Sequence, residues 1–316
     1  MSVNSKNNYY DVVIAGQGAA AFAAGLYSAR YQMDTLIIGE TFGGETATGG
    51  LIENYPGYPE IDGFDLMLKF KEQVEKYDVP IVDDKVDSVK KQDGLFKVNT
   101  FGGETFSAGS VILAVGRDRR TLNLQNEEEW VGRGVSYCST CDAPMHKNNV
   151  VAIVGGGNAA VEGAILLARY ASEVYLIYRK GKFTRPEPII LEQLNQSQNI
   201  HQVMSTNVTQ LHGTDGLDSI SIDKAYNGVS KLDVDGIFIE IGADPRVEIP
   251  NQLNLELNEK NEVIVDSAMK TNMDGIFAAG DLCNSSGDLK QTITAASQGA
   301  IAATSSYHYI MNLKSS

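Results

Sequence analysis

The sequence predicts an α/β fold of two Rossmann-like units, the second inserted into the first, and three observations carry that expectation. Two glycine-rich loops, Gly16-Gln17-Gly18-Ala19-Ala20-Ala21 and Gly155-Gly156-Gly157-Asn158-Ala159-Ala160, each follow a short apolar run and open an Ala-rich stretch. Both copies then lead to a second apolar run, so each completes a β-α-β unit. Two further apolar runs ending in glycine, at 111–116 and 275–280, belong to the outer unit.

In the first copy Asp11–Ala15 reads as a buried parallel strand, Ala19–Arg30 as a helix, and Thr35–Ile38 as the next strand, ending at Gly39-Glu40. In the second, Val150–Val154 is the strand, a helix runs from the loop to about Tyr170, and Glu173–Tyr178 is the second strand. A strand is expected at 111–116, and a helix from Gln291 to Tyr309. The insert begins near Arg117 and ends near Asp244-Pro245, where Gly242-Ala243-Asp244-Pro245-Arg246 reads as a connector.

At 316 residues the chain is long enough for two domains with buried cores, and 43% apolar with 21% charged residues is the usage of a soluble globular protein. The balance of 26 basic and 40 acidic residues, net −14, argues against nucleic acid as a partner. No run approaches the roughly 18 apolar residues that span a bilayer. The polar stretch Met1–Tyr10 lacks the apolar core of a secretory signal, so the expected location is the cytoplasm, without a membrane partner. Three cysteines do not make a disulfide framework.

In such loops the first glycine permits a tight turn and the second lets the backbone approach a pyrophosphate at the helix start. A small third residue, here Ala21 or Ala160, lets helix and strand pack closely. The two copies differ at the end of the second strand. Glu40 suits ribose hydroxyls, whereas Tyr178-Arg179-Lys180, with Lys182 and Arg185 beyond, suits a 2′-phosphate. FAD is therefore expected at the first loop and NADPH at the second; a solvated turn is the rival reading of the basic run.

Between the loops lies Cys138-Ser139-Thr140-Cys141-Asp142. Two thiols spaced this way close a small disulfide ring, a helix start lowers the pKa of the first, and Asp142 is placed to shuttle a proton. Zinc is the main rival, with His146 nearby, but structural zinc wants four ligands and there is no second CxxC. Cys283 reads as a packed free thiol, and the four histidines carry no evident role.

At this point the chain resembles the low-molecular-weight thioredoxin reductases nearly end to end. The resemblance rests on Gly43-Gly44, Glu53-Asn54-Tyr55-Pro56-Gly57, Gly132-Arg133-Gly134-Val135-Ser136, the CxxC-Asp run, Gly155-Gly156-Gly157-Asn158, Ser172-Glu173-Val174, Phe277-Ala278-Ala279-Gly280-Asp281, and Gln291 with the Ala-rich helix after it. It implies a homodimer, each subunit with a discontinuous FAD domain (1–117 and 246–316) and an inserted NADPH domain (118–245). NADPH would reduce FAD, FAD the Cys138–Cys141 disulfide, and the dithiol a thioredoxin-like small protein. By motif position Cys141 faces the flavin, Cys138 attacks the partner disulfide and Asp142 is the acid-base residue. In that family the NADPH domain rotates between two arrangements, which the two connectors would permit.

The resemblance also places FAD contacts on Gly16, Gly18, Ala20, Ala21, Glu40, Gly43, Gly44, Asn54, Gly116, Asp281 and Gln291. It places NADPH contacts on Gly157, Asn158, Ala159, Ala160, Arg179, Lys180 and Arg185. Several positions depart from the family pattern. Glu45 stands beside the flavin where Gln is usual, Val115 replaces Thr, Ala143 replaces Gly, Tyr178-Arg179-Lys180 replaces His-Arg-Arg, and Arg185 sits one place late. A dithiol oxidase passing electrons to oxygen and a reductase fed by NADH or ferredoxin remain as alternatives, together with a non-catalytic nucleotide sensor.

Overall fold

The computed structural model describes residues 8–48, 50–287 and 289–315, so most of the polar N-terminal stretch lies outside the described residues. The chain forms two compact units, Met1–Asp118 with Pro245–Ser316, and Arg119–Asp244. The two chain crossings run as short strands, Arg117–Arg119 and Ala243–Pro245, paired with each other as a ribbon.

The discontinuous unit is built on a seven-stranded sheet. Ile81–Val82, Thr35–Ile38, Tyr9–Ala15 and Thr105–Leu113 lie side by side in parallel. The last of these forks. Its first half pairs antiparallel with Leu95–Thr100, which in turn pairs with Val86–Gln92, while Val111–Leu113 pairs in parallel with Ile276–Ala278. This strand starts earlier and stops sooner than the expected 111–116. Ser107, Gly109 and Ser110 break the apolar run, yet the backbone stays in the sheet, with Ser110 Oγ bonded to Asp11 O and Ser306 Oγ. At the far end Gly116, at φ +71°, turns the chain out.

Two helices, Ala19–Arg30 and Thr292–Ser315, pack tightly against each other. A Cβ on Gly299 would come within 2.0 Å of the Ala20 carbonyl oxygen, so the backbones meet without side chains between them. That contact is why the first helix is almost all alanine on its buried side: Ala19, Ala20, Ala21, Ala23 and Ala24 are buried with Phe22. The second helix runs six residues past the expected Tyr309, its last turns exposed apart from Ile310.

The inner unit carries a five-stranded parallel sheet in the order Val135–Ser136, Gly236–Ile239, Val150–Val154, Glu173–Tyr178, Ile200–Met204. Strand alternation divides the core. Val151, Ile153, Val174 and Leu176 face helices Asn158–Leu167 and Pro188–Gln196, where Val161, Ala164, Leu167, Ile190 and Leu194 meet them. Ala152, Ile177, Ile237 and Ile239 face the opposite way, with Leu211, Ile220 and Leu232 of an antiparallel three-stranded sheet. The mixed α/β architecture expected from the sequence is present in both units.

Candidate active site

The first glycine loop sits between strand Tyr9–Ala15 and helix Ala19–Arg30. Gly16 holds φ +126°, and a Cβ there would lie 2.2 Å from the Ala114 carbonyl oxygen, so only glycine fits. Gly18 is the helix N-cap in extended conformation, without a side-chain cap bond, and opens onto free space. An uncapped helix start facing open space is a cradle for a phosphate. Gln17 is buried and pins the loop, donating to Gly39 O at 2.7 Å and Asp83 Oδ1 at 2.8 Å.

The other expected flavin positions collect around this loop. Gly43 N–H donates to Gln17 O, and both Gly43 and Gly44 have positive φ; a Cβ on Gly44 would come 3.4 Å from Gly18 Cα. Asn54 Nδ2 donates to Gln291 Oε1 at 3.2 Å, just before helix Thr292–Ser315. Gly280, next to Asp281, donates its N–H to buried Gln298 and lies over Ala20. Ala21 is fully buried behind the loop. Glu40 is held by Arg246 Nη1 at 3.1 Å, and the same guanidinium reaches Asp118 at 2.6 Å.

Asp281 lies over a charged layer absent from the sequence reading. Arg117 Nε donates to Asp281 O, its Nη2 pairs with Glu262 at 2.8 Å, and Lys290 Nζ pairs with the same carboxylate at 3.0 Å. Burial pushes the Asp281 carboxyl up; Arg117 and Lys290 work against that, Glu45 and Glu262 with it. Glu262 goes the other way. Hydrogen bonds from Asn258 and Lys290, with the charges of Lys290 and Arg117, outweigh its desolvation and hold it below the usual carboxylate range. The signal for this layer was present only as Arg117 at the connector and Lys290 before Gln291; nothing local linked them to Glu262. Cys283 is buried, bonded to Gly280 O and Gln298, and burial raises its thiol pKa.

The second loop repeats the geometry of the first. A Cβ on Gly155 would lie 2.2 Å from Glu240 O; Gly157 is an extended N-cap without a side-chain cap bond, open to space; Ala160 is buried and Ala159 exposed. Tyr178 differs from anything at the first loop. Its ring lies against Gly156 and stacks on Phe183, centroids 5.4 Å apart. Arg179, Lys180, Lys182 and Arg185 are exposed beside it.

Cys138 and Cys141 form a disulfide, their Cα atoms 5.3 Å apart. Cys138 is the N-cap of the short helix Ser139–Asp142, and its Sγ accepts the Cys141 N–H at 3.2 Å. Ser136 Oγ accepts the Cys138 N–H, and Ser139 donates N–H and hydroxyl to Glu240 Oε1 at 3.4 and 3.2 Å. Gly163 gives this turn its seat, since a Cβ there would meet Ser139 Oγ at 2.6 Å. Cys141 is exposed; Cys138 and Asp142 are half-buried, and Ala143 is fully buried behind them. Ser136, Ser139 and Glu240 hold the dithiol without having been legible as site residues.

A dithiol ring at a helix start, in a chain with two dinucleotide cradles, defines a flavin-dependent disulfide oxidoreductase. The family model for pyridine nucleotide-disulphide oxidoreductases matches residues 10–299, and the chain belongs to that family. The thioredoxin reductase of Mycolicibacterium smegmatis is 37% identical over 304 residues, covering 95% of this chain and 96% of that one. The crystal structure of Lactococcus lactis thioredoxin reductase superposes with a TM-score of 0.90 at 33% identity, covering 96% and 99% of the two chains. A ferredoxin-flavin thioredoxin reductase from Clostridium acetobutylicum matches at 0.53 and 29%, covering 98% and 99%. Within the family the chain is thus of the low-molecular-weight thioredoxin reductase kind, a flavoprotein thioredoxin-disulfide reductase that works with FAD and a pyridine nucleotide. Among the described residues no helix is long and apolar enough to cross a membrane.

Proposed function

We propose that the discontinuous unit is the FAD domain, that the inner unit is the NADPH domain carrying the dithiol, and that NADPH is the preferred donor. The observation behind the donor assignment is the exposed run Arg179, Lys180, Lys182 and Arg185 at the end of the second strand, in a chain of net charge −14. Guanidinium and ammonium groups in that place favour a 2′-phosphate. At the first loop Glu40 takes the ribose side. Gly16, Gly18, Ala20, Ala21, Gly43, Gly44 and Gly116 leave room for the backbone of the dinucleotide. Asn54, Asp281, Gln291 and Glu45 stand toward the flavin. At the second loop Gly157, Asn158, Ala159 and Ala160 form the phosphate turn.

Bound together, the two cofactors would supply two electrons per cycle to the Cys138–Cys141 disulfide, leaving it as the dithiol. The chain's own residues then act as follows. The Cys138 thiolate attacks the substrate disulfide, forming a mixed disulfide and expelling one substrate thiolate. Cys141 attacks Cys138 Sγ, re-forming the ring disulfide and expelling the second substrate thiolate. Asp142 passes a proton to a departing thiolate. The acceptor is a thioredoxin-like small protein, and the working state is a cytoplasmic homodimer.

A second reading, in which a different donor feeds the flavin, is favoured by Tyr178, whose ring occupies the space over Gly156. Anaerobic titration of the FAD-loaded protein separates the two. Bleaching of the flavin by NADPH at far lower concentration than by NADH is expected. No bleaching by either nucleotide, with bleaching by reduced ferredoxin, would transfer the assignment to the second reading. Replacing Cys141 with Ser is expected to abolish thioredoxin reduction while the flavin stays bound and still bleaches with the donor; turnover at the unmodified rate would remove the dithiol mechanism.

A further inference from the structure

The second loop holds a carboxylate of its own. Asn158 is the first residue of helix Asn158–Leu167, next to the uncapped Gly157. Its Nδ2 donates to Glu187 Oε1 at 3.0 Å, and the Glu187 N–H donates back to Asn158 Oδ1 at 2.9 Å. This reciprocal pair fixes a carboxylate at the helix start where a pyrophosphate is expected. Glu187 is also the N-cap of helix Pro188–Gln196, yet its side chain makes no cap bond there. None of the ion pairs found among the described residues joins it to Arg179, Lys180, Lys182 or Arg185. Neither the helix start at Asn158 nor the corresponding one at the first loop has an acidic residue in its first turn or a side-chain cap bond.

We propose that Glu187 is an affinity-setting residue of the second site, an anion that weakens every pyridine nucleotide through its shared pyrophosphate. This rests on the reading that the inner unit binds such a nucleotide. Glu187 is exposed, and like charges brought together there repel, equally for NADPH and NADH. NADPH alone recovers the loss, through its 2′-phosphate on the exposed cations. A penalty common to both nucleotides leaves their affinity ratio unchanged, so Glu187 sets how tightly the site holds either one, and the cations set the preference.

The test is equilibrium binding of NADP+ and NAD+, which leave the flavin oxidised, to FAD-loaded wild-type, Glu187→Gln and Glu187→Asp proteins. Flavin absorbance confirms loading and fold in each. Glu187→Gln keeps the acceptor for Asn158 and the backbone bond, and removes only the charge. It is expected to tighten NADP+ and NAD+ by the same factor, about 3- to 10-fold at low ionic strength. The gain should shrink in high salt, where the charge is screened. Inorganic pyrophosphate should show the same gain as a competitor, and Glu187→Asp should stay near wild type.

Wild type that binds NADP+, with Glu187→Gln unchanged or weaker, overturns this proposal and leaves the donor assignment standing. A gain in Glu187→Asp equal to that of Glu187→Gln overturns it as well, since the charge is then not the cause. Absence of nucleotide binding in both wild type and Glu187→Gln overturns the proposal and the donor assignment together.

Discussion

The two dinucleotide loops are near copies in backbone and opposites in their surroundings. At each, a glycine that could not carry a Cβ without striking a carbonyl oxygen at 2.2 Å makes the turn, and an extended, uncapped glycine opens the helix. Around the first lies compensated charge, with Glu40 on Arg246 at the surface and a buried Glu262 between Arg117 and Lys290. Around the second lies an open run of cations with one carboxylate at the turn. The turn geometry is therefore common to both loops, and they differ in what borders it.

The sharpest way to break this comparison is at the paired glycines. Gly16→Ala meets a backbone oxygen at a φ that disfavours alanine. A loss of about 2–4 kcal/mol in stability, with loss of bound flavin, is expected from thermal melts and the flavin-to-protein absorbance ratio. Gly155→Ala carries the same steric fault, yet should leave the protein yellow and remove reduction by NADPH. If both variants lost flavin equally, the loops would not be serving separate nucleotides.

A smaller effect sharpens the bordering residues. Arg179→Ala or Lys180→Ala is expected to raise KM for NADPH about tenfold each, the scale of one charge-assisted hydrogen bond, with kcat and the KM for NADH little changed. Equal losses for both nucleotides would move these cations away from the 2′-phosphate.

The smallest effect is in pH. His146, in the inner unit, packs on Phe238 and has its pKa lowered chiefly by burial, against the pull of Asp142 and Asp235. The unfolded chain then holds more protons than the folded one below the ordinary histidine value of about 6.5, so acidification weakens this unit. Asp281, in the other unit, has a raised pKa, so the folded form holds the extra proton and acidification stabilises it; Glu262, lowered, costs stability only below the ordinary carboxylate range. Between pH 7 and pH 5.5 the inner unit should melt earlier relative to the outer one, followed by limited proteolysis. The reverse order would mean that other groups control acid stability.

What the sequence made legible was whatever lies within one β-α-β unit. Helix Ala19–Arg30 and strands Thr35–Ile38, Val150–Val154 and Glu173–Tyr178 have the expected bounds, because apolar runs and glycine turns are local signals. The dithiol was legible for the same reason. Strand Thr105–Leu113 begins earlier than its apolar run implies, because its small polar residues are satisfied by partners such as Ser306, far along the chain. Arg117 with Glu262, Arg246 with Glu40 and Asn158 with Glu187 were hidden likewise. Each joins residues that are distant in sequence, and a charge alone does not name its partner.

The contact of Gly299 with the Ala20 carbonyl has a consequence for tolerance to change. One helix of that pair begins at the first phosphate turn, the other immediately after Gln291, and they touch backbone to backbone. At that crossing no side chain lies between them, so there is no rotamer to absorb a misfit, and the pair behaves as a ruler with two fixed marks. A single methyl group added at Gly299, in a helix interior, would shift one mark against the other, and a cofactor of fixed length would register the error at both of its ends.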